Sequence, residues 1–348
     1  MQEQRYSIGV DLHSRVIQVC VLNGQGQVAW EHRERGASLA VGQALVARLA
    51  RKFPAARVVV ESLGMNRWFV KACREHGLDV VVAHASKLGL KKSGRKTDRR
   101  DAYELARRLM LGDVERNALS YYPDDEEYGL RQLVRHRDGL VRERSETVSK
   151  IRALARNHRI ELPTGDLYGP KNLEKLRSVQ LENPHEQLVL GCLVRALEHL
   201  HQEVCVLDAS VKSESKSARC AGALAAPYVG PVTALTLVAG LGDVHRFRNA
   251  KAVASYAGLV PRVIESGDSS FHGPLVKHGS RELRFVLGEW AVQLLARHPL
   301  AQKWAEPRLK RMPKNKVRVA LARKLLIGIW HTLRTGEVFD LERCLTTA

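Results

Sequence analysis

What the sequence lacks narrows its class first. No apolar run reaches the roughly 18 residues that a membrane-crossing helix needs, so no membrane partner is expected. The opening MQEQRYS is polar and leads into a strand, without the pattern of a signal peptide. The six cysteines, at 20, 73, 192, 205, 220 and 344, are scattered and form no C-x-x-C pair. That excludes the usual zinc spacings and a secreted disulfide framework, and makes a reducing cytoplasm the expected location. Aromatic residues are only 5%, too few for base stacking to be the main binding mode. Acid is scarce relative to base: 37 Asp and Glu against 56 Lys and Arg, a net charge of +19. A chain this basic is expected to meet a polyanion, most often nucleic acid.

At 348 residues the chain has room for two or three domains. RYSIGVDL, RVIQVCVLN and QVAWEHRE read as three short strands divided by polar turns, a meander over residues 5–32. An amphipathic helix follows over 38–52. ARVVVES (56–62) is a buried strand by its unbroken apolar run, 65–77 a helix ended by Gly77, and LDVVVAHA (78–85) a further strand. The expected class is therefore α/β at this end, a mixed sheet with helices on its faces.

The stretch RKTDRRDAYELARRLM (95–110) reads as a helix start. Thr97 suits the N-cap, and Ala102, Leu105, Ala106 and Leu109 recur at helical spacing. Asp98 and Asp101, three apart, share one face, among the cations Lys91, Lys92, Arg95, Lys96, Arg99 and Arg100. A charged helix start of this kind is by itself an ordinary solvated face. Two further acids change the balance: Asp11 ends the first strand and Glu61 ends the strand over 56–62. Strand-end carboxylates that converge with carboxylates on a covering helix suit a hard divalent cation acting on a phosphate-bearing substrate.

Beyond residue 125 the pattern turns helical. Leu133/Val134, Leu140/Val141, Thr147/Val148 and Leu154/Ala155 recur every seven residues, and Leu193, Leu197, Leu200, Val204, Leu207 and Val211 alternate by four and three. These are two heptad helices expected to form an antiparallel hairpin, joined by 161–184, which has no clear period and reads as a loop. AAPYVGPVTALTLVAGLGD (225–243) has the look of a helix-hairpin-helix, whose backbone N–H groups can meet phosphates without reading sequence. A helix over 246–261, a Gly- and Ser-rich loop or hairpin, and amphipathic helices over 281–297 and 315–334 complete the chain. Arg308, Lys310, Arg311, Lys314, Lys316, Arg318, Arg323 and Lys324 form an expected phosphate-facing surface. The expected division is 1–125, 126–220 and 221–348.

With these residues in view, the chain resembles the DEDD transposases of the insertion-sequence 110/1111 family, relatives of the Piv DNA invertases. The pieces that carry the resemblance are GVDLHSRVIQV around Asp11, VVVES around Glu61, KTDRRDAYELARRL around Asp98 and Asp101, and PYVGPVTALTLVAGLGDVHRFRNAKAVASYAGLVPR with the SG and KHGSRELR segments after it. They span nearly the whole chain in the family's order. The resemblance implies a RuvC-like (RNase H fold) domain, a coiled-coil insertion and a mainly helical C-terminal transposase domain. It implies Mg2+ (or Mn2+) held by Asp11, Glu61, Asp98 and Asp101, and Ser266 as the nucleophile that forms a phosphoserine intermediate. From the residues alone Ser266 is a turn residue, with Ser269 and Ser270 beside it in the same loop. The implied partners are donor and target double-stranded DNA, a non-coding guide RNA and further copies of the chain, as a dimer or tetramer. A site-specific invertase, a RuvC-like nuclease using water and a non-catalytic nucleic-acid packaging protein are the alternatives. The chain departs from the family pattern at Tyr228, where Gly is more usual, and at Ser280, where Asn is.

Overall fold

Valine and isoleucine crowd residues 7–35 and, stiff at χ1, favour extended backbone. In the computed structural model they form β1 (Ser7–Leu12), β2 (Val16–Leu22) and β3 (Val28–Arg35), an antiparallel meander with Ser7 opposite Leu22 and Val16 opposite Arg35. The structure describes residues 6–36, 38–62, 64–88, 97–266, 269–276 and 279–346. The turn between β2 and β3 is built by Asn23, whose Oδ1 accepts from the backbone N–H of Gln25 and Gln27. After α1 (Leu39–Lys52), β4 (Arg57–Glu61) joins β1 in parallel; after α2 (Arg67–Glu75), β5 (Asp79–Ala83) joins β4 in parallel. The sheet order is β3-β2-β1-β4-β5, the mixed sheet expected from the sequence.

Alternation along β1 sends Ile8, Val10 and Leu12 to one face, where they pack with Leu45, Val46 and Leu49 of α1 and Phe69 and Val70 of α2. The other face carries Gly9 and Asp11. A short helix, α3 (Ala85–Leu88), follows β5; then α4 (Asp98–Met110) lies across that second face, with Leu105 and Leu109 on Val59. Thr97 caps α4 as expected, its side chain accepting from Arg100 N–H. The approach is close because Gly9 has no side chain: a Cβ there would lie 2.0 Å from the Ala102 carbonyl oxygen and 2.4 Å from the Ala106 nitrogen. The basic residues Lys91, Lys92, Arg95 and Lys96 lie outside the described residues.

The chain divides into two compact units, Met1–Tyr122 and Pro123–Ala348. The second opens with α5 (Asp125–Asn157), capped by Asp124, and α7 (Pro184–Glu214), capped by Asn183. Contacts of Arg137 with Asp208, Arg144 with His201 and His158 with Glu186 descend one helix as they climb the other, so the pair is antiparallel. The connection between them is not all loop. It holds α6 (Pro170–Ser178), with proline in the first turn, where its missing N–H costs nothing, and Leu173 and Leu176 buried. Nine residues are too short for the periodicity that reveals longer helices. Near α6 the paired helices enclose their own core of Ile151, Leu190, Val194 and Leu197. Farther along, Val134 and Val211 join the core of the following helices.

Those helices are α8 (Ala218–Leu224), α9 (Pro231–Leu241), α10 (Ala250–Ala257), α11 (Arg281–Arg297), α12 (Pro299–Leu309), α13 (Lys314–Thr335) and α14 (Leu341–Thr346). The helix expected over 246–261 starts only at Ala250, because Asn249 caps it, and ends at Gly258 with φ 72°. Strands β6 (Pro261–Ser266) and β7 (Ser269–Leu275) form an antiparallel hairpin. Two buried tryptophans tie turns to this core: Trp290 donates to the Pro227 carbonyl and Trp330 to that of Val244. The C-terminal carbonyls of α9 are met by three side chains, Arg131 on Ala239, Tyr256 on Gly240 and Arg246 on Leu241. Tyr228 holds φ 62°, a left-handed conformation that favours glycine, in accord with the family's usual residue there. Ser280 caps α11 through Leu283 N–H, a task that asparagine performs equally well. No helix among the described residues is long and apolar enough to cross a membrane.

The contact at Gly9 has a measurable consequence. Gly9→Ala forces backbone apart and is expected to cost about 2 kcal/mol or more, lowering the melting temperature of the first unit by roughly 5–10 °C. Gly24→Ala, whose Cβ would meet open space, serves as the control and is expected to leave the transition in place. Differential scanning calorimetry reads both.

Candidate metal centre

The register of the sheet brings the strand-end acids together. Val10 lies opposite Val60 in the parallel β1–β4 pair, so Asp11 and Glu61 follow side by side on the face that α4 covers. The first turn of α4 carries Asp98 and Asp101 over the same strand end. Asp11 is buried to 4% exposure. Asp98 and Asp101 are half-buried at the rim.

One residue not singled out in the sequence belongs to the group. His13 Nε2 lies 3.1 Å from Asp11 Oδ2 and 3.7 Å from Asp98 Oδ1. Asp11, His13 and Asp98 can each offer a ligand atom, and these atoms lie within 4.8 Å of one another. The signal was present: His13 stands two residues past Asp11, the spacing that returns a side chain to the same side of an extended chain. Glu61 and Asp101 are neighbours of this trio without belonging to it. Asp101 nonetheless acts on Asp11 electrostatically.

Burial and like charge act together on Asp11. Burial foremost raises the Asp11 carboxyl above its ordinary range; His13 opposes the rise, and the negative charges of Asp101 and Asp98 add to it. Arg33 reaches Asp98 at 3.4 Å, but both side chains are well exposed and such a pair contributes little. Carboxylates crowded against one another, one of them buried, fit a divalent cation: hard oxygen donors suit Mg2+ and Mn2+, and an imidazole is tolerated better by Mn2+ than by Mg2+.

Ser266 belongs to the second unit. It ends β6, paired with Ser269 across the hairpin, and the turn residues 267 and 268 lie outside the described residues. Sequence reasoning took this segment as a loop or hairpin, and it is a hairpin.

The fit of the cluster to a cation is open to a direct test. Millimolar Mn2+ or Mg2+ is expected to raise the melting temperature of the first unit by several degrees, since a ligand at a hundred times its dissociation constant stabilises by about 2.7 kcal/mol. Asp98→Ala, at a half-buried rim position, is expected to fold normally and to lose that response in differential scanning fluorimetry.

Comparison with known proteins agrees with the resemblance. A DEDD transposase model of the IS110 type matches residues 8–159, and a model described as the transposase IS116/IS110/IS902 family matches residues 224–306. The chain is 26% identical to the transposase for insertion sequence element IS1111A of Coxiella burnetii, over 95% of this chain and 90% of that one. It is 36% identical to the pilin gene-inverting protein of Moraxella bovis over 33% of this chain and 36% of that one. Among solved structures it is similar to T. thermophilus RuvC in complex with a Holliday junction substrate, at 13% identity and a TM-score of 0.26, over 33% of this chain and 99% of that one. The two family models lie in order along the chain, one over the sheet and its acids and one over the C-terminal helices, and the chain belongs to the IS110/IS1111 family of transposases.

Proposed function

We propose that this transposase cuts and rejoins the DNA strands of an insertion sequence through a phosphoserine intermediate. The observation that carries the reading is the gathering of Asp11, His13 and Asp98 at one strand end, with Asp101 acting on the same carboxyl and Glu61 on the neighbouring strand. Asp11, Glu61, Asp98 and Asp101 would hold the cation, which when bound neutralises charge at the scissile phosphate and eases loss of a hydroxyl proton. The sheet order, with an antiparallel meander and two parallel strands beside it, supports the RuvC-like reading of the first unit.

Ser266 supplies the nucleophile. Its Oγ attacks a backbone phosphorus, forming a Ser–O–P ester as the bond from phosphorus to the leaving sugar oxygen breaks; the serine loses its proton and the sugar oxygen gains one. A sugar hydroxyl of another strand reverses the step and frees the serine. The bond energy stays in the ester, so rejoining needs no ATP. A serine hydroxyl is a weak nucleophile unless a base or a metal ion activates it.

The DNA is held largely through its phosphates. Lys310, Arg311, Lys314 and Lys316 are exposed around the turn between α12 and α13, and the turn before α9 offers backbone N–H groups in the manner of a helix-hairpin-helix. Contacts of this kind carry little sequence information. On the family resemblance, target choice is assigned to a non-coding RNA made by the element, pairing with donor and target DNA, with the protein acting in the cytoplasm as a dimer or tetramer. A Piv-type site-specific invertase is the second reading, favoured by the likeness to the pilin gene-inverting protein; the acid cluster and Ser266 would serve it equally.

Trapping decides the chemistry. Purified protein, Mg2+, DNA carrying the element's junction and total host RNA are denatured together, and DNA bound covalently to protein is measured. An adduct is expected that disappears with Ser266→Ala, with Asp11→Ala, or without RNA or Mg2+. Cleavage without an adduct, unchanged in Ser266→Ala, would make the protein a RuvC-like nuclease that uses water.

A further inference from the structure

On the opposite face of the sheet from α4, the first unit holds an open cavity of about 500 Å3. Leu12, Leu39, Met65 and Trp68 form its apolar walls, with His13 and Arg67 among its polar groups. It lies where ligands gather in α/β sheets, beyond the carboxyl ends of two neighbouring parallel strands: Leu12 and His13 end or follow β1, and Met65 to Trp68 follow β4. The volume falls within the range of small-ligand sites and exceeds what one base needs.

We propose that this cavity seats one unpaired base of the DNA strand whose backbone lies at the Asp11–His13–Asp98 cluster. The inference rests on the DNA-cutting reading above. His13 links the two places, since it lines the cavity and also lies 3.1 Å from Asp11. A base next to the scissile phosphate, turned out of its stack, is within reach of the far side of the imidazole.

Trp68 is built as a fixed wall rather than a loose surface side chain. Its six-membered ring fills the space left by Gly42 on α1, where a Cβ would come within 2.3 Å of Cη2. Phe69 packs edge-on to it, with ring centroids 5.6 Å apart and planes at 89°. An indole immobilised in this way loses little entropy when a base stacks on it, and such stacks tolerate any base because each has a π-face. Met65 and Leu39, 43% and 54% exposed, add an apolar lining at the mouth that water covers poorly. Arg67 provides a cation for the phosphate beside the seated base. A sequence with few aromatic residues has in this cavity one placed where a single base can use it.

Cross-linking with the full-length protein tests the assignment, with Ca2+ replacing Mg2+. The probes are a single-stranded dT 12-mer, the same oligomer carrying one 4-thiothymidine, an all-abasic 12-mer and a ribo-U 12-mer. Ultraviolet irradiation is expected to join the thio-base to Met65 or Trp68, located by mass spectrometry. Trp68→Leu is expected to weaken the dT 12-mer about tenfold and to leave the abasic 12-mer unchanged; Met65→Ala, at a half-exposed site, is expected to weaken the dT 12-mer about threefold. Cross-links confined to other segments, equal weakening of both DNA oligomers, or preference for the ribo-oligomer overturn the proposal. So does a Trp68→Leu protein that binds the dT 12-mer normally but dissociates in sedimentation, which would assign the cavity to a second copy of the chain. Cross-links here without a serine adduct retain the base site and remove the recombinase chemistry; an adduct with cross-links elsewhere overturns the base site alone.

Discussion

The first unit depends on backbone meeting backbone at Gly9. A helix normally rides above a sheet on a layer of side chains, but at Gly9 that layer is missing and the turn of α4 around Ala102 and Ala106 descends onto β1. The small residues on the helix are matched to the glycine on the strand. The descent also brings acids together, because the first turn of α4 carries Asp98 and Asp101, and Asp11 stands two residues past Gly9 near the end of β1. The contact that packs the helix is therefore also the contact that crowds the carboxylates.

Crowding of this kind opposes folding on its own. Asp11 is buried and faces two other acids, and its protonation equilibrium is pushed up accordingly. The second unit buries charge differently. There Glu127 pairs with Arg131 at 2.5 Å, and Arg131 passes on to the carbonyl end of α9, so the ions neutralise one another and finish a helix. The pairing leaves no room for a side chain at Gly242, whose Cβ would lie 2.0 Å from Glu127 Oε1 and whose φ is 61°. A buried pair that closes on itself is architecture. Asp11, buried at the open end of a sheet beside His13 and Asp98, offers instead ligand atoms close enough together to share one cation.

Much of this was legible in the residues. The strands announced themselves by β-branched runs, and α1, α4, α11 and α13 by periodicity, with the Thr97 cap added for α4, since a buried face must recur at the period of its backbone. Asp11, Glu61, Asp98 and Asp101 could be placed at element ends because those ends were readable. His13 was not singled out, because its one signal, a place two residues past Asp11, is shared by every strand-end residue at that spacing. Nor were α6, α8, α12 and α14 read, because short helices complete too few turns to show a period, and tertiary burial of residues such as Leu173, Ala223 and Ala301 stabilises them instead.

By itself the sequence determined the order of elements, the basic charge that calls for a polyanion and the acids at strand and helix ends, since local propensity and composition act on neighbours along the chain. Only the tertiary structure decided how those acids meet. It set β4 beside β1 in the register that pairs Val10 with Val60, brought α4 down at Gly9, and turned His13 toward both Asp11 and Asp98. It also placed Trp68 against Gly42. Apart from His13 on Asp11, these are contacts between residues tens of positions apart, selected by packing volume and strand pairing, and no local preference encodes them.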